Sequence, residues 1–111
     1  MDYDVKISLN AKECLRNISD KVVLTNIKEE IKSLSGSPQI KGKALGRKLK
    51  GYRRLRLSRY RIIYKVIESK ALVVIASVGI EKEGDREDVY KMFESFLETA
   101  NCAWYLKPEY F

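Results

Sequence analysis

The chain has 111 residues, with 22 Lys or Arg against 15 Asp or Glu, no histidine, and a formal net charge of +7. That length fits one domain, 1–111, with a real but modest core, and 45% hydrophobic with 33% charged residues excludes a disordered chain. No apolar run reaches the roughly 18 residues of a bilayer span, and the opening MDYDVKISLN lacks the regions of a signal peptide, so no membrane partner and cytoplasmic residence are expected.

The excess of cations favours a polyanion or an acidic protein as partner. Without histidine the commonest general base near neutral pH is missing, so any catalysis must find its proton acceptor elsewhere. Cys14 and Cys102 stand far apart without a CxxC pair, and two thiolates without imidazole make an improbable zinc set. Both are read as core or half-buried thiols, and no metal or other cofactor is expected.

In chain order, residues 3–9 (YDVKISL) alternate as a short strand with Tyr3, Val5, Ile7 and Leu9 inward. Asn10 reads as the cap of a helix over residues 11–18, with Glu13 at its N3 position and Leu15 and Ile18 on one side. Ser19 or Asp20 starts a longer helix, along which Val23, Ile27, Ile31 and Leu34 form a stripe of 3.6-residue period. It stops at Gly36, with Pro38 just beyond. Two helices joined by a minimal turn make a hairpin that is stable only when packed on a sheet.

Residues 35–51 read as one long irregular connection, with room for a helical turn in ALGRKLKG. It leads into the stretch that dominates the chain, because residues 41–65 (KGKALGRKLKGYRRLRLSRYRIIYK) hold eleven Lys or Arg and no acid. In a strand over residues 52–57, Leu55 and Leu57 share one parity and Arg54 and Arg56 the other, so one face can be buried while the other stays cationic. After a tight connection at Ser58 and Arg59, residues 60–67 (YRIIYKVI) are apolar on both parities and read as a central strand. Arg61 within it must be paired or open onto a site, since a lone buried charge costs several kcal/mol. Residues 71–78 (ALVVIASV) complete an antiparallel meander as a strand covered on both faces. A charged loop, residues 81–88 (EKEGDRED), then precedes a helix over residues 90–99 with Met92, Phe93, Phe96 and Leu97 inward. The aromatic tail 101–111 (NCAWYLKPEYF) either folds back or offers a patch to a partner.

The order β, α, α, β, β, β, α, with LKG before the first meander strand, the run RRLRLSRYRIIY, SVG closing the last strand and DVY opening the final helix, resembles the RelE/ParE toxin superfamily of type II toxin-antitoxin modules. The likeness covers roughly residues 3 to 95 and leaves 96–111 as a C-terminal extension. It implies an α+β fold, a twisted antiparallel sheet backed by an N-terminal helical hairpin and closed by a C-terminal helix. The RelE branch implies a metal-independent endoribonuclease that cuts mRNA in the ribosomal A site, and the ParE branch a DNA gyrase inhibitor. Either implies an acidic, RelB-like antitoxin and a toxin-antitoxin hetero-oligomer.

Position by position, the RelE pattern falls on Arg54, Arg56, Arg61 and Tyr90, while the arginine expected two residues past Gly79 is replaced by Glu81. Metal-free cleavage at a 2′-hydroxyl needs a base, cations for the phosphate and an acid for the leaving oxygen. Guanidinium forks suit the phosphate but are never bases, which leaves Tyr90, Lys82 and Glu81 as proton acceptors. Glu81 reads either as that base or as a substitution that weakens cleavage and points to a gyrase-directed or degenerate toxin. The remaining cations Lys48, Lys50, Arg53, Arg59, Lys82 and Arg86 are candidate RNA contacts.

Overall fold

The computed structural model describes residues 2–100, so the tail 101–111, with Cys102, lies outside the described residues. The first strand, β1 (Asp4–Ile7), hands directly to helix α1 (Leu9–Arg16). Ser8 rather than Asn10 caps that helix, its hydroxyl accepting from Ala11 N at 3.1 Å. Asn10 instead spends its amide on Ala76 O at 2.9 Å. Both residues are competent caps, and the sheet edge beside them decides between them. Starting the helix earlier turns Leu9 outward, 54% exposed, against the expectation that it faced the core.

Asp20 caps α2 (Lys21–Ser33) by accepting from Val22 N and Val23 N. The expected stripe faces inward, with Ile27, Ile31 and Leu34 buried and Val23 packed against them. The connection beyond is more ordered than its composition suggests. A short helical turn, α3 (Pro38–Lys41), leads into a two-residue strand, β2 (Lys43–Ala44), and then a 3-10 turn over Arg47–Leu49. Gly42 makes β2 possible, because a Cβ there would overlap the Arg54 carbonyl and the Tyr64 hydroxyl.

The meander follows as β3 (Arg53–Leu57), β4 (Tyr60–Ile67) and β5 (Leu72–Ile80), and α4 (Val89–Thr99) closes the described chain. The five strands form one sheet in the order β1-β5-β4-β3-β2. The α+β class holds, and β3 to β5 form the expected antiparallel meander, to which β2, in a stretch expected to be irregular, adds antiparallel beside β3. β1, however, joins β5 in parallel. The chain between them includes the helical hairpin and amply supplies the crossover that parallel pairing requires. Between β4 and β5 the register shifts at Ile63 and Tyr64, which pair with Ser77 and Ile75 and leave Ala76 unpaired as a bulge.

Alternation sorts the core into two layers. On the hairpin face Ile7, Ala11, Leu15, Ile27, Ile31 and Leu34 pack against Ile62, Tyr64, Val73, Ile75 and Val78. On the other face Ile63, Val74 and Ala76 meet Leu49, Tyr52, Val89 and Phe93, with the Tyr52 and Phe93 rings edge to face at 5.0 Å. β5 is thus covered on both sides, and burying one such aliphatic side chain stabilises by about 1.5–3 kcal/mol. Phe96 and Leu97 pack against the second layer as expected, but Met92 is 56% exposed. The helix opens one residue earlier than expected, and Val89, Phe93, Phe96 and Leu97 fill its inward face at i, i+4, i+7 and i+8. Among the described residues no helix is long and apolar enough to cross a membrane.

Candidate functional site

Cross-strand partners lie on the same face of a sheet, and the register of β3 with β4 puts Arg56 directly opposite Arg61 and Arg54 opposite Ile63. The three arginines therefore share the face that carries α4, as the alternation in the sequence required. α4 packs on β5 and leaves Arg56 exposed and Arg54 half-buried.

Arg61 is largely enclosed, its side chain 12% exposed, and its Nε and Nη1 are engaged. Its Nε donates to Glu81 Oε1 at 2.9 Å, and its Nη1 donates to Ser58 O at 3.0 Å and Tyr60 O at 2.9 Å. Ser58 presents that carbonyl from a left-handed turn, φ 55°. The nearly buried charge is thus paired, as electrostatics demands. Glu81 stays 38% exposed, so the ion pair opens onto solvent.

Two features deliver Glu81 and Tyr90 to Arg61. Gly79, opposite Arg61, lets the start of α4 come close, since a Cβ there would stand 3.2 Å from Val89 Cβ and Cγ2. Asp88, buried, caps α4 through Tyr90 N and Lys91 N with one carboxylate oxygen and takes Lys82 N at 2.6 Å with the other. This ties both ends of the loop 81–88 together. Asp88 was not singled out from the sequence, although an Asp immediately before a periodic apolar segment is a helix-start signal.

The Tyr90 phenol lies within the influence of the Glu81 carboxylate, and its pKa is raised. Burial is the largest cause and Glu81 the next, with Arg54 and Arg61 pulling the other way. Arg54, Arg61, Glu81 and Tyr90 therefore act on one another, and Arg56 adjoins them through its pairing with Arg61. The site offers a carboxylate able to take a proton, a phenol that keeps one, and guanidinium groups for an anion.

The outer cations scatter. Lys48, Lys50, Arg59 and Arg86 are exposed, on the 3-10 turn, the β3–β4 turn and the charged loop. Lys82 Nζ pairs with Glu87 at 3.6 Å. Arg53 does not belong with them, because it shares the parity of Leu55 and points to the hairpin face. There it donates to Gly42 O and reaches the Tyr64 hydroxyl at 3.4 Å, as a clamp on the β2 connection. Cys14 is a half-buried thiol 3.6 Å from Ser77 Oγ. Among the described residues no group of three or more His, Cys, Asp or Glu is placed to hold a metal ion.

A second feature was invisible in the sequence. Between α1, α2 and β1 runs a groove of about 570 Å³, floored by Ile7, Leu15, Leu24 and Ile31 and rimmed by Lys12, Arg16, Lys28 and Lys32.

A helical hairpin behind a meander, with arginines massed on the opposite face, defines the class of small basic toxins of the RelE/ParE superfamily. The chain belongs to the ParE toxin family of the type II toxin-antitoxin system, parDE, whose sequence model matches residues 5–84. Its fold is shared by the toxin-antitoxin complex RelBE2 from Mycobacterium tuberculosis, at 28% identity and a TM-score of 0.68 over 73% of this chain and 100% of that one. It is also similar to the intact E. coli RelBE complex, at 25% identity and 0.62 over 73% and 99%. The archaeal RelE-RelB complex from Pyrococcus horikoshii matches at 26% identity and 0.58 over 72% and 96%. No curated protein sequence matches the chain.

Proposed function

We propose that this toxin is an endoribonuclease that cuts mRNA in the ribosomal A site without a metal and is silenced by a cognate acidic antitoxin. The observation that carries the reading is the joined cluster of Arg61, Glu81 and Tyr90 beside Arg54 on the uncovered part of the sheet. Arg54 and Arg61 hold the scissile phosphate and stabilise the charge that builds on it. Glu81, oriented by Arg61, takes the proton of the 2′-hydroxyl. Tyr90, kept protonated by burial and by Glu81, donates its proton to the leaving 5′-oxygen. The phosphate enters between carboxylate and phenol, and ribosomal positioning supplies the remaining alignment. The test is RNA cleavage by purified toxin on programmed ribosomes, mapped by primer extension, with Arg61→Ala as the inactive control. An intact message at toxin concentrations that arrest growth would overturn it.

Two observations favour a second reading, inhibition of DNA gyrase without cleavage. The matched family is ParE, and Glu81 offsets the charge of Arg61. Inhibited supercoiling with uncut mRNA would select it.

For the antitoxin, the groove between α1 and α2 suits an acidic amphipathic helix, apolar residues down and carboxylates against its basic rim. A further acidic segment over the arginines would silence the site. Reversing the rim charges, with Lys28→Glu and Lys32→Glu, should release the antitoxin while leaving the toxin folded.

A further inference from the structure

On the ribonuclease reading the scissile phosphate sits between β3 and β4, and Lys43 is among the cations of the same face left without a task. We propose that Lys43 holds the phosphate next to the scissile one, so that the RNA strand crosses the sheet from β4 toward β2 instead of running along β3. The inference rests on that reading for the place of the scissile phosphate, and on β2 for the rest.

Lys43 is directly opposite Arg54 and therefore on the arginine face. Like charges in that position repel, and among the described residues no carboxylate forms an ion pair with either. An anion from outside removes the repulsion. A two-residue strand would not hold this register alone, and here three contacts made from the other face of the sheet fix it. Gly42 fits beneath the Tyr64 ring and the Arg54 carbonyl, Arg53 donates to Gly42 O, and the Tyr64 hydroxyl donates to Pro38 O at 2.8 Å. Lys43 is exposed, yet its backbone is among the better fastened parts of the connection.

The spacing fits as well. Strands lie about 4.8 Å apart, so β2 is one and a half intervals, about 7 Å, from the line between β3 and β4. This is the scale of one step between phosphates in a stretched single strand, the form that basic grooves of this kind track. The preferred ligand is then a single strand with two consecutive phosphates.

The experiment measures binding of uncleavable 2′-O-methyl oligonucleotides at low salt, comparing a dinucleotide with one phosphate and a trinucleotide with two. Wild type should bind the trinucleotide more tightly. Lys43→Gln should lose roughly two- to fivefold on the trinucleotide, as for an exposed ion pair. Its log-log salt slope should drop by about 0.7, with dinucleotide binding unchanged. Lys70→Gln, in the turn at the far end of β4, should change neither. Equal weakening of both ligands by Lys43→Gln, no weakening, or no gain of wild type on the trinucleotide would each overturn the seat while leaving the cleavage reading to its own assay. A wild type that keeps the Lys43-dependent gain but cuts no ribosome-bound message would overturn the cleavage reading and keep the seat.

Discussion

The two faces of the sheet use the same strands for opposite ends. Toward the helical hairpin, Ile62 and Tyr64 are fully buried with Leu55 and Leu57 partly buried beside them, and the Tyr64 hydroxyl donates to Pro38 O. Toward α4, residues of the opposite parity on the same two strands, Arg54, Arg56 and Arg61, form a cationic surface with one carboxylate and one phenol. Stability and chemistry are thus interleaved residue by residue. The hairpin face can be rigid because the other face does not have to be dry.

The division can be broken or sharpened by substitution. The largest expected effect is on activity: Glu81→Gln should lower cleavage by about 10²–10⁴-fold, the range for removal of a general base. Faster cleavage by that variant would recast Glu81 as a competitor for Arg61. Arg61→Ala should cost about 10²–10³-fold in rate, with the urea midpoint close to wild type because its partner Glu81 can turn to water. Across the sheet the pattern should invert, Ile62→Ala destabilising by about 2–5 kcal/mol in urea unfolding through the cavity it leaves. Tyr64→Phe should cost about 1–3 kcal/mol, because Pro38 O and the Arg53 guanidinium lose a buried partner. Arg56→Ala as destabilising as Ile62→Ala would erase the distinction between the faces.

The smallest expected effect is that of pH. The folded state holds the Tyr90 proton more tightly than the unfolded chain does, so this residue's contribution to stability is complete at neutral pH. It is lost as pH rises above the ordinary value of 10.0 toward the raised one. Tyr90→Phe should remove that part of the alkaline decline, and wild-type cleavage should show no loss from Tyr90 ionisation near neutral pH. A slope unchanged by Tyr90→Phe would mean the phenol is not held in the cluster.

Much of this was legible in the sequence where local chemistry decided alone. The Asp20 cap, the Ile27, Ile31 and Leu34 stripe and the full extent of β4 rest on capping and periodicity. The joining of Arg54, Arg56 and Arg61 on one face follows from parity. Parity also assigned Arg53 to the leucine side, yet its charge drew it into the RNA-contact group. What was not legible depended on distant partners. Ser8 and Asn10 compete as caps until Ala76 arrives beside them, and β2 exists because Arg53 and Tyr64 hold residues 38–42 in place. The contact of Glu81 with Arg61 was expected only as a shared site; the buried Asp88 that fixes it went unremarked.

The unpaired Ala76 sets the phase of β5. Upstream of it odd-numbered residues such as Val73 and Ile75 face the hairpin; downstream Val78 does, which frees Gly79 to lie under the first turn of α4. Because it is the extra residue, its deletion would leave Ser77 opposite Ile63 and Gly79 opposite Arg61, whereas deleting Val78, two residues further on, would put isoleucine where glycine must be and dislodge the carboxylate from its arginine with no substitution in the site itself.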